Sequence, residues 1–194
     1  MYRKASNQSK YCYPGTEILI NKPDIRDQHK LTAYESIVST RRNALLVTQP
    51  LPGSFDFAHL RVIHHYLFQD VYPLFAGKIR EEDISKGNFN FAYTQHILPQ
   101  SKEIFSKLKD ENHLIGLDVE IFSLKAALFM GDLNHLHPFR EGNGRAQREF
   151  LRCLALNTGF KLDWSLVNKD EILLAFIKSV RDEQPLADVI RRCI

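Results

Sequence analysis

HPFREGNGRAQR, residues 137–148, lies between two segments whose apolar residues repeat at a helical period. Gly142 and Gly144 let the backbone turn tightly and approach a ligand closely. The turn leads directly into the second helix, whose unpaired N–H groups and positive dipole end attract anions. Arg145 and Arg148 fall in the first turn of that helix and add two cations with forked donors. The stretch therefore predicts a loop that binds a polyphosphate.

Two other side chains of this stretch suit chemistry on such a ligand. Glu141 would repel bare phosphates, so its carboxylate predicts a Mg²⁺ ion between it and them. His137 is the only side chain here whose ordinary pKa lies near neutrality, which suits a general base that takes a proton from a hydroxyl. Phe139 is expected to be buried and to anchor the loop.

Most of the chain around this stretch is predicted to be helical. Asp56 and Asp118 are suitable N-caps for two of the helices, and Pro138 should end the second of these near His137. In that second helix we expect a broad apolar face, formed by Ile121, Leu124, Leu128 and Met130. The predicted helices cover residues 25–46, 56–72, 96–114, 116–137, 145–159, 169–181 and 185–192.

One segment departs from the helical period. Ile84, Phe89 and Phe91 fall on alternate positions around a Gly-Asn pair, Gly87 and Asn88. This pattern predicts a short β-hairpin with the pair at its turn. The fold expected for the whole chain is therefore a single all-α domain, a helical bundle that carries one small hairpin.

Composition limits the classes of partner and location. The 194 residues have a net charge of only +3, with basic and acidic residues intermixed. This gives little support for direct binding to nucleic acid or to a membrane surface. No apolar stretch of leader length follows the first charges, and no run of about 18 apolar residues occurs. We expect a cytoplasmic protein with reduced cysteines, unless a secretion system exports it.

The stretch at residues 137–148 matches every defined position of the signature His-x-Phe-x-Asp/Glu-Gly-Asn-Gly-Arg-x-x-Arg. It resembles the motif of the Fic family. The residues AGKIRE, ahead of the predicted hairpin, and the helix that follows it resemble the Fic core and its "flap". The resemblance covers about residues 56–160, and it implies that residues 1–194 form one Fic domain with flanking helices.

The resemblance implies a protein adenylyltransferase that moves AMP from ATP to a hydroxyl side chain of a target protein and releases pyrophosphate. His137 would deprotonate a Tyr, Thr or Ser hydroxyl, and Glu141 would hold Mg²⁺ against the phosphates. Arg148 would reach the terminal phosphate. The residues that would cradle the phosphates are Gly142, Asn143, Gly144 and Arg145.

The hairpin would lie over the nucleotide, again by resemblance. Lys86 and Gly87 are candidates for nucleotide contact. The strand through Asn90 and Phe91 would bind the target chain by adding it as a further strand.

The family also suggests how such an enzyme is inhibited. An inhibitory helix with the pattern Ser/Thr-x-x-x-Glu-Gly/Asn sends a glutamate to the second motif arginine, here Arg148. No such pattern precedes the core, and one near match, Ser179 to Glu183, follows it. We favour a separate small inhibitor protein, as in toxin–antitoxin pairs.

Three alternatives stay open at the level of sequence. The same loop could serve the transfer of UMP, phosphocholine or a phosphate. Its residues predict binding of a diphosphate, but they indicate less about which group is attached to that diphosphate. The domain could be a non-catalytic interaction module, although intact His137, Glu141, Asn143 and Arg148 argue against that. His135 and His137 could form a zinc pair, but they end a helix, and a metal hydrolase would need further ligands.

Overall fold

The computed structural model describes residues 8–194, and this part of the chain contains seven α-helices and one small hairpin. This architecture confirms the predicted all-α class. The helices are α1 (Gln28–Thr48), α2 (Phe57–Phe68), α3 (Thr94–Asp110), α4 (Val119–Leu136), α5 (Asn143–Asn157), α6 (Lys169–Lys178) and α7 (Gln184–Arg192). The strands are β1 (Ser85–Lys86) and β2 (Phe89–Asn90).

Local sequence signals set most of the helix ends. The side chain of Asp56 accepts a hydrogen bond from the N–H of His59, and Asp118 caps α4 in the same way. Gly159 follows α5 with φ +92°, the left-handed conformation common after a helix. Helix α4 ends at Leu136, as Pro138 predicts, because a proline disfavours right-handed helical backbone in the residue before it.

The core is one continuous apolar cluster with α4 and α5 at its centre. Helix α4 packs against α3, α5 and α7, and α2 packs against α1 and α5. The buried face of α4 carries Phe122, Ala126, Met130 and Leu133.

The predicted apolar face of α4 was wrong for three of its four residues. Ile121, Leu124 and Leu128 are 43–46% exposed, and only Met130 is buried. Apolar residues occur on nearly every side of α4, so a helical period within the helix does not identify the side that neighbouring helices cover.

The hairpin forms where the sequence predicts it. Ser85 pairs with Asn90 and Lys86 with Phe89 in antiparallel register. Gly87 has φ +60° at the turn, a conformation that favours glycine. The hairpin stands beside the carboxyl end of α4, because the N–H of Ala92 donates to the carbonyl oxygen of His135 at 3.1 Å.

Two remaining expectations concern the chain as a whole. Cys12, Cys153 and Cys193 are all free thiols. Within residues 8–194, every helix is too short or too polar to cross a membrane. The expected absence of a leader depends partly on residues 1–7, which lie outside the described part of the chain.

Candidate active site

The loop between α4 and α5 takes its shape from the side chain of Asn143. The Oδ1 atom accepts a hydrogen bond from the N–H of Phe139 at 2.9 Å, and Nδ2 donates to the carbonyl oxygen of Phe139 at 2.8 Å. Both residues are buried, and the ring of Phe139 is completely enclosed. The side chain of Asn143 therefore holds the loop closed, and its backbone begins α5.

His64 fixes the same loop from α2. The N–H of Gly77 donates to Nδ1 at 2.8 Å, so Nε2 carries the proton and donates to the carbonyl oxygen of Glu141 at 2.8 Å. The imidazole stacks on Phe139 with 3.8 Å between ring centroids. Burial lowers the pKa of His64 to about 3, so this tautomer stays neutral. The sequence prediction gave His64 no role, and its place between Leu60 and Leu67 at the helical period was the available signal of its burial.

His137 follows α4 in a left-handed conformation, with φ +44°. Its Nδ1 lies 3.1 Å from the carbonyl oxygen of Asn134, which assigns the proton to Nδ1 and the lone pair to Nε2. The ring of Phe91 stacks on the imidazole at 3.7 Å. Burial lowers the pKa of His137 to about 3, and the charges of Arg80 and Lys86 act in the same direction. His137 is therefore neutral near pH 7, the protonation state that a general base needs.

Arg80 joins the hairpin to the end of α4. Its side chain is buried and donates to the carbonyl oxygens of His137 at 2.8 Å, of Leu136 at 3.4 Å, of Glu82 at 2.9 Å and of Ala92. A cation at this position also satisfies carbonyl groups that the helix end leaves without partners. The sequence prediction assigned no role to Arg80, since nothing near it in the chain indicates these partners.

The start of α5 presents backbone donors. Gly142 is the N-cap residue with φ +78°, and no side chain caps the helix. Within residues 8–194, the N–H groups of Asn143 and Gly144 have no hydrogen-bond acceptor. A Cβ atom at Gly142 would lie 2.3 Å from Cζ of Phe68, so only glycine fits here. This geometry is typical of an anion site at a helix start.

The two motif arginines, Arg145 and Arg148, have different surroundings. Arg145 forms an ion pair with Glu35 of α1 and donates from Nη1 to the hydroxyl of Ser39 at 2.8 Å. Arg148 makes no ion pair with any carboxylate of residues 8–194, and burial and the charge of Arg145 lower its pKa. The side chain of Arg145 thus turns toward α1, unlike the phosphate contact expected from the sequence, and Arg148 keeps an unbalanced positive charge.

The loop between α4 and α5, residues 137–142, is here called the motif loop. Glu141 is the one carboxylate in it. Its Oε1 accepts a hydrogen bond from the N–H of Gly142 at 2.9 Å. Its pKa is raised, mainly by burial and then by the nearby charge of Glu35. Residues 8–194 contain no group of three His, Cys, Asp or Glu side chains that could hold a metal. A single carboxylate fits Mg²⁺ only together with ligand phosphates, and the zinc alternative at His135 and His137 lacks a third protein ligand.

The flap residues divide into exposed and buried positions. Lys86, Gly87 and Asn90 are exposed on the hairpin. Phe91 follows β2 and is buried with its ring on His137. The structure therefore brings the hairpin and the motif loop together, and the nucleotide and target contacts assigned to these residues stay predictions.

Known proteins are similar to this chain in sequence and in fold. The Fic/DOC family model matches residues 54–155. The probable protein adenylyltransferase y4lH of Sinorhizobium fredii is 38% identical over 197 residues, which cover 100% of both chains. The protein adenylyltransferase VbhT of Bartonella schoenbuchensis is 39% identical over 192 residues, or 99% of this chain, but the chain spans only 40% of the length of VbhT.

A solved structure gives the same result for the fold. The chain is 30% identical to the BepC protein of Bartonella tribocorum, a VirB-translocated effector with bound AMPPNP. The two superpose with a TM-score of 0.85 over 94% of this chain and 95% of BepC. The chain therefore belongs to the Fic/DOC family.

Proposed function

We propose that this protein is an adenylyltransferase that transfers AMP from ATP to a hydroxyl side chain of a target protein. The observation that carries the proposal is the start of α5. There, two backbone N–H groups and the unbalanced charge of Arg148 form an anion site. The neutral imidazole of His137 lies at the other end of the same loop. Relatives that match the whole chain bear the name protein adenylyltransferase, and BepC binds AMPPNP, an ATP analogue.

Each group of the site has a task in this reaction. Nε2 of His137 takes the proton of the target hydroxyl, whose oxygen forms a bond to the α-phosphorus. The bond from that phosphorus to the oxygen bridging the α- and β-phosphates breaks, and its electron pair leaves with pyrophosphate. Arg148 and the N–H groups of α5 hold the phosphates in line for attack. Glu141 would hold Mg²⁺, which neutralises phosphate charge when it is bound.

The proposal includes regulation by a separate inhibitor protein that supplies a glutamate to Arg148. Within residues 8–194, no carboxylate pairs with Arg148. Glu183, the candidate of the near-match pattern, instead lies close enough to Asp132 of α4 to raise its pKa. A cytoplasmic location and a toxin–antitoxin role belong to the same proposal.

Labelling with ATP tests the activity. The purified chain, Mg²⁺ and a bacterial lysate are incubated with ATP labelled at either the α- or the γ-phosphate, and the modified protein is weighed by mass spectrometry. Only the α-label should remain on the target, with the added mass of AMP. An added mass of UMP, phosphocholine or phosphate would identify another transfer reaction.

Substitution of the base provides the first prediction. His137→Ala should still bind AMPPNP but should lose about 10²–10⁴-fold of the labelling rate, because a positioned base contributes that much. His135→Ala removes the exposed neighbouring histidine and should label normally. Glu183→Gly should not increase labelling. Full activity of His137→Ala would overturn the proposed role of the base, and a large gain from Glu183→Gly would overturn the separate inhibitor.

A further inference from the structure

Helix α1 precedes the segment that the Fic/DOC model matches, yet it contributes two side chains to the motif. The carboxylate of Glu35 forms an ion pair with Arg145 and accepts a hydrogen bond from the hydroxyl of Tyr72. One turn later on α1, the hydroxyl of Ser39 accepts from Nη1 of Arg145 at 2.8 Å. Glu35 and Ser39 thus hold the guanidinium of Arg145, and Tyr72 holds Glu35. These three residues are here called the α1 clamp.

This ion pair lies inside the molecule. The side chain of Glu35 is 14% exposed and that of Arg145 is 30% exposed. Burial and the charge of Glu35 raise the pKa of Tyr72, so its hydroxyl keeps the proton that it donates. The guanidinium of Arg145 also lies 4.7 Å above the ring of Phe68, the same ring that excludes a side chain at Gly142. Arg145 is held from three directions.

The α1 clamp decides how charge is distributed at the start of α5. Two cations, Arg145 and Arg148, are the third and sixth residues of α5, and Nη1 of Arg148 lies beside Gly144, 3.3 Å from where a Cβ atom on that glycine would be. Glu35 balances the first of these charges. Arg148 is left as the cation without a carboxylate partner in residues 8–194.

We propose that Glu35 is a positioning residue for the transfer reaction. It holds Arg145 against α1, so that the phosphates of the nucleotide bind to Arg148 and to the helix start in a single alignment. The inference rests on the proposed function, because the alignment concerns the attacked phosphorus.

Kinetics of Glu35→Gln test this role. The substitution keeps the shape of the side chain but removes its charge, and Arg145 is then free to compete for phosphate. We expect kcat for target labelling to fall by about tenfold or more, since small misplacements are costly in rate. The KM for ATP should stay within about threefold of the wild-type value or decrease. A purely structural role would lower the melting temperature without this separation of kcat from KM.

A double-mutant cycle shows whether Glu35 acts through Arg145. Arg145→Ala removes the group that Glu35 holds, so adding Glu35→Gln to it should cause no further loss of kcat. Glu120→Gln is the matched control, because it breaks the exposed Glu120–Arg191 ion pair on α4 and α7 and should label normally. If Glu35→Gln fails to fold, Tyr72→Phe replaces it, since it loosens Glu35 without changing any charge. Tyr72→Phe should lower kcat in the same direction by a smaller factor.

The outcomes separate this inference from the proposed function. A wild-type chain that binds AMPPNP but labels nothing in any lysate contradicts the proposed function, and the inference falls with it. A wild-type chain that labels, with Glu35→Gln and Tyr72→Phe both at wild-type kcat and KM, overturns the inference alone. Additive losses in the double-mutant cycle overturn it as well.

Discussion

His137 and Gly142 are the first and last residues of the motif loop, and both have a left-handed backbone conformation, with φ +44° and +78°. For a residue with a side chain this conformation costs about 1–2 kcal/mol. At His137, the Arg80 hydrogen bond to its carbonyl oxygen and the contact of Nδ1 with Asn134 offset that cost. Such strain at the proposed base is consistent with a site that is organised before the ligand binds.

Gly142→Ala should lower both stability and activity. The added Cβ would lie 2.3 Å from Cζ of Phe68 and 2.4 Å from Cε2, so the ring or the loop must move. We expect the melting temperature to fall by several degrees and labelling to fall at least about tenfold, because the start of α5 shifts with the loop. Thermal unfolding and the labelling assay measure the two effects.

Gly159→Ala is the control for backbone strain alone. Gly159 also has a positive φ, +92°, but an added Cβ would meet no atom within 4 Å. This variant should lose about 1 kcal/mol of stability and keep its labelling rate. Equal behaviour of the two alanine variants would show that contact with Phe68 has no role.

At the scale of elements, the hairpin depends on the rest of the fold. Two strands of two residues each are too short to be stable alone. The side chain of Arg80 connects Ala92, two residues after β2, to Leu136 and His137 at the end of α4. Phe91 adds ring stacking on His137. The hairpin segment and His137 are therefore held as one unit.

Arg80→Lys keeps the positive charge but should remove hydrogen bonds that join the hairpin segment to the end of α4. A lysine ammonium cannot reach the set of carbonyl oxygens that the guanidinium serves, and each buried carbonyl left without a donor costs about 1–3 kcal/mol. For a chain of this size, a loss of 2–3 kcal/mol corresponds to a decrease in melting temperature of about 5–10 °C. Labelling should also decrease, because His137 loses a backbone support.

Arg61→Lys is the matched control for this change. Arg61 is exposed and donates from Nε to a single carbonyl oxygen, that of Gly77, at 2.9 Å. Its substitution should change the melting temperature by no more than about 2 °C. The interpretation of Arg80 would be wrong if both variants melted at the same temperature.

At the scale of the whole molecule, buried neutral histidines link stability to pH. His59, His64 and His137 are all buried, and the pKa of each is lowered chiefly by burial. An unfolded histidine has a pKa of about 6.5 and takes up a proton below that pH, whereas these folded histidines take up a proton only at lower pH. Below that pH the unfolded state binds more protons than the folded state. The contribution of these histidines to the free energy of unfolding is therefore fully present above about pH 6.5 and is lost as the pH falls.

His59 allows one of these contributions to be measured apart from catalysis. Its Nε2 lies 3.1 Å from the carbonyl oxygen of Leu51, and its buried Nδ1 has no partner within residues 8–194. Asp56 and Glu149 oppose the lowered pKa without cancelling it. Between pH 7 and 5, the free energy of unfolding should therefore fall less steeply for His59→Gln than for the wild type, by up to about 1.4 kcal/mol per pH unit.

Denaturant unfolding at several pH values measures this difference. His29→Gln removes an exposed histidine at the start of α1 and should follow the wild-type curve. Identical slopes for His59→Gln and the wild type would contradict the assignment of His59 as a buried neutral group.

The sequence by itself determined the helical class, the hairpin and the family to which the motif belongs. Caps at Asp56 and Asp118, the stop before Pro138 and the Gly87 turn follow from residues adjacent in the chain, so local rules were sufficient. The family motif could also be recognised, because its glycines, arginines and carboxylate lie within twelve consecutive residues, whereas phosphate binding by this loop stays a prediction.

Only the tertiary structure decided what holds that loop in place. Glu35 reaches Arg145 across 110 positions, His64 reaches Glu141 across 77, and Arg80 reaches His137 across 57. A helical period defines faces within a helix but not which faces meet, and the same limit explains the wrongly predicted face of α4. Contacts between distant segments depend on how the helices pack together, which no single segment of the sequence specifies.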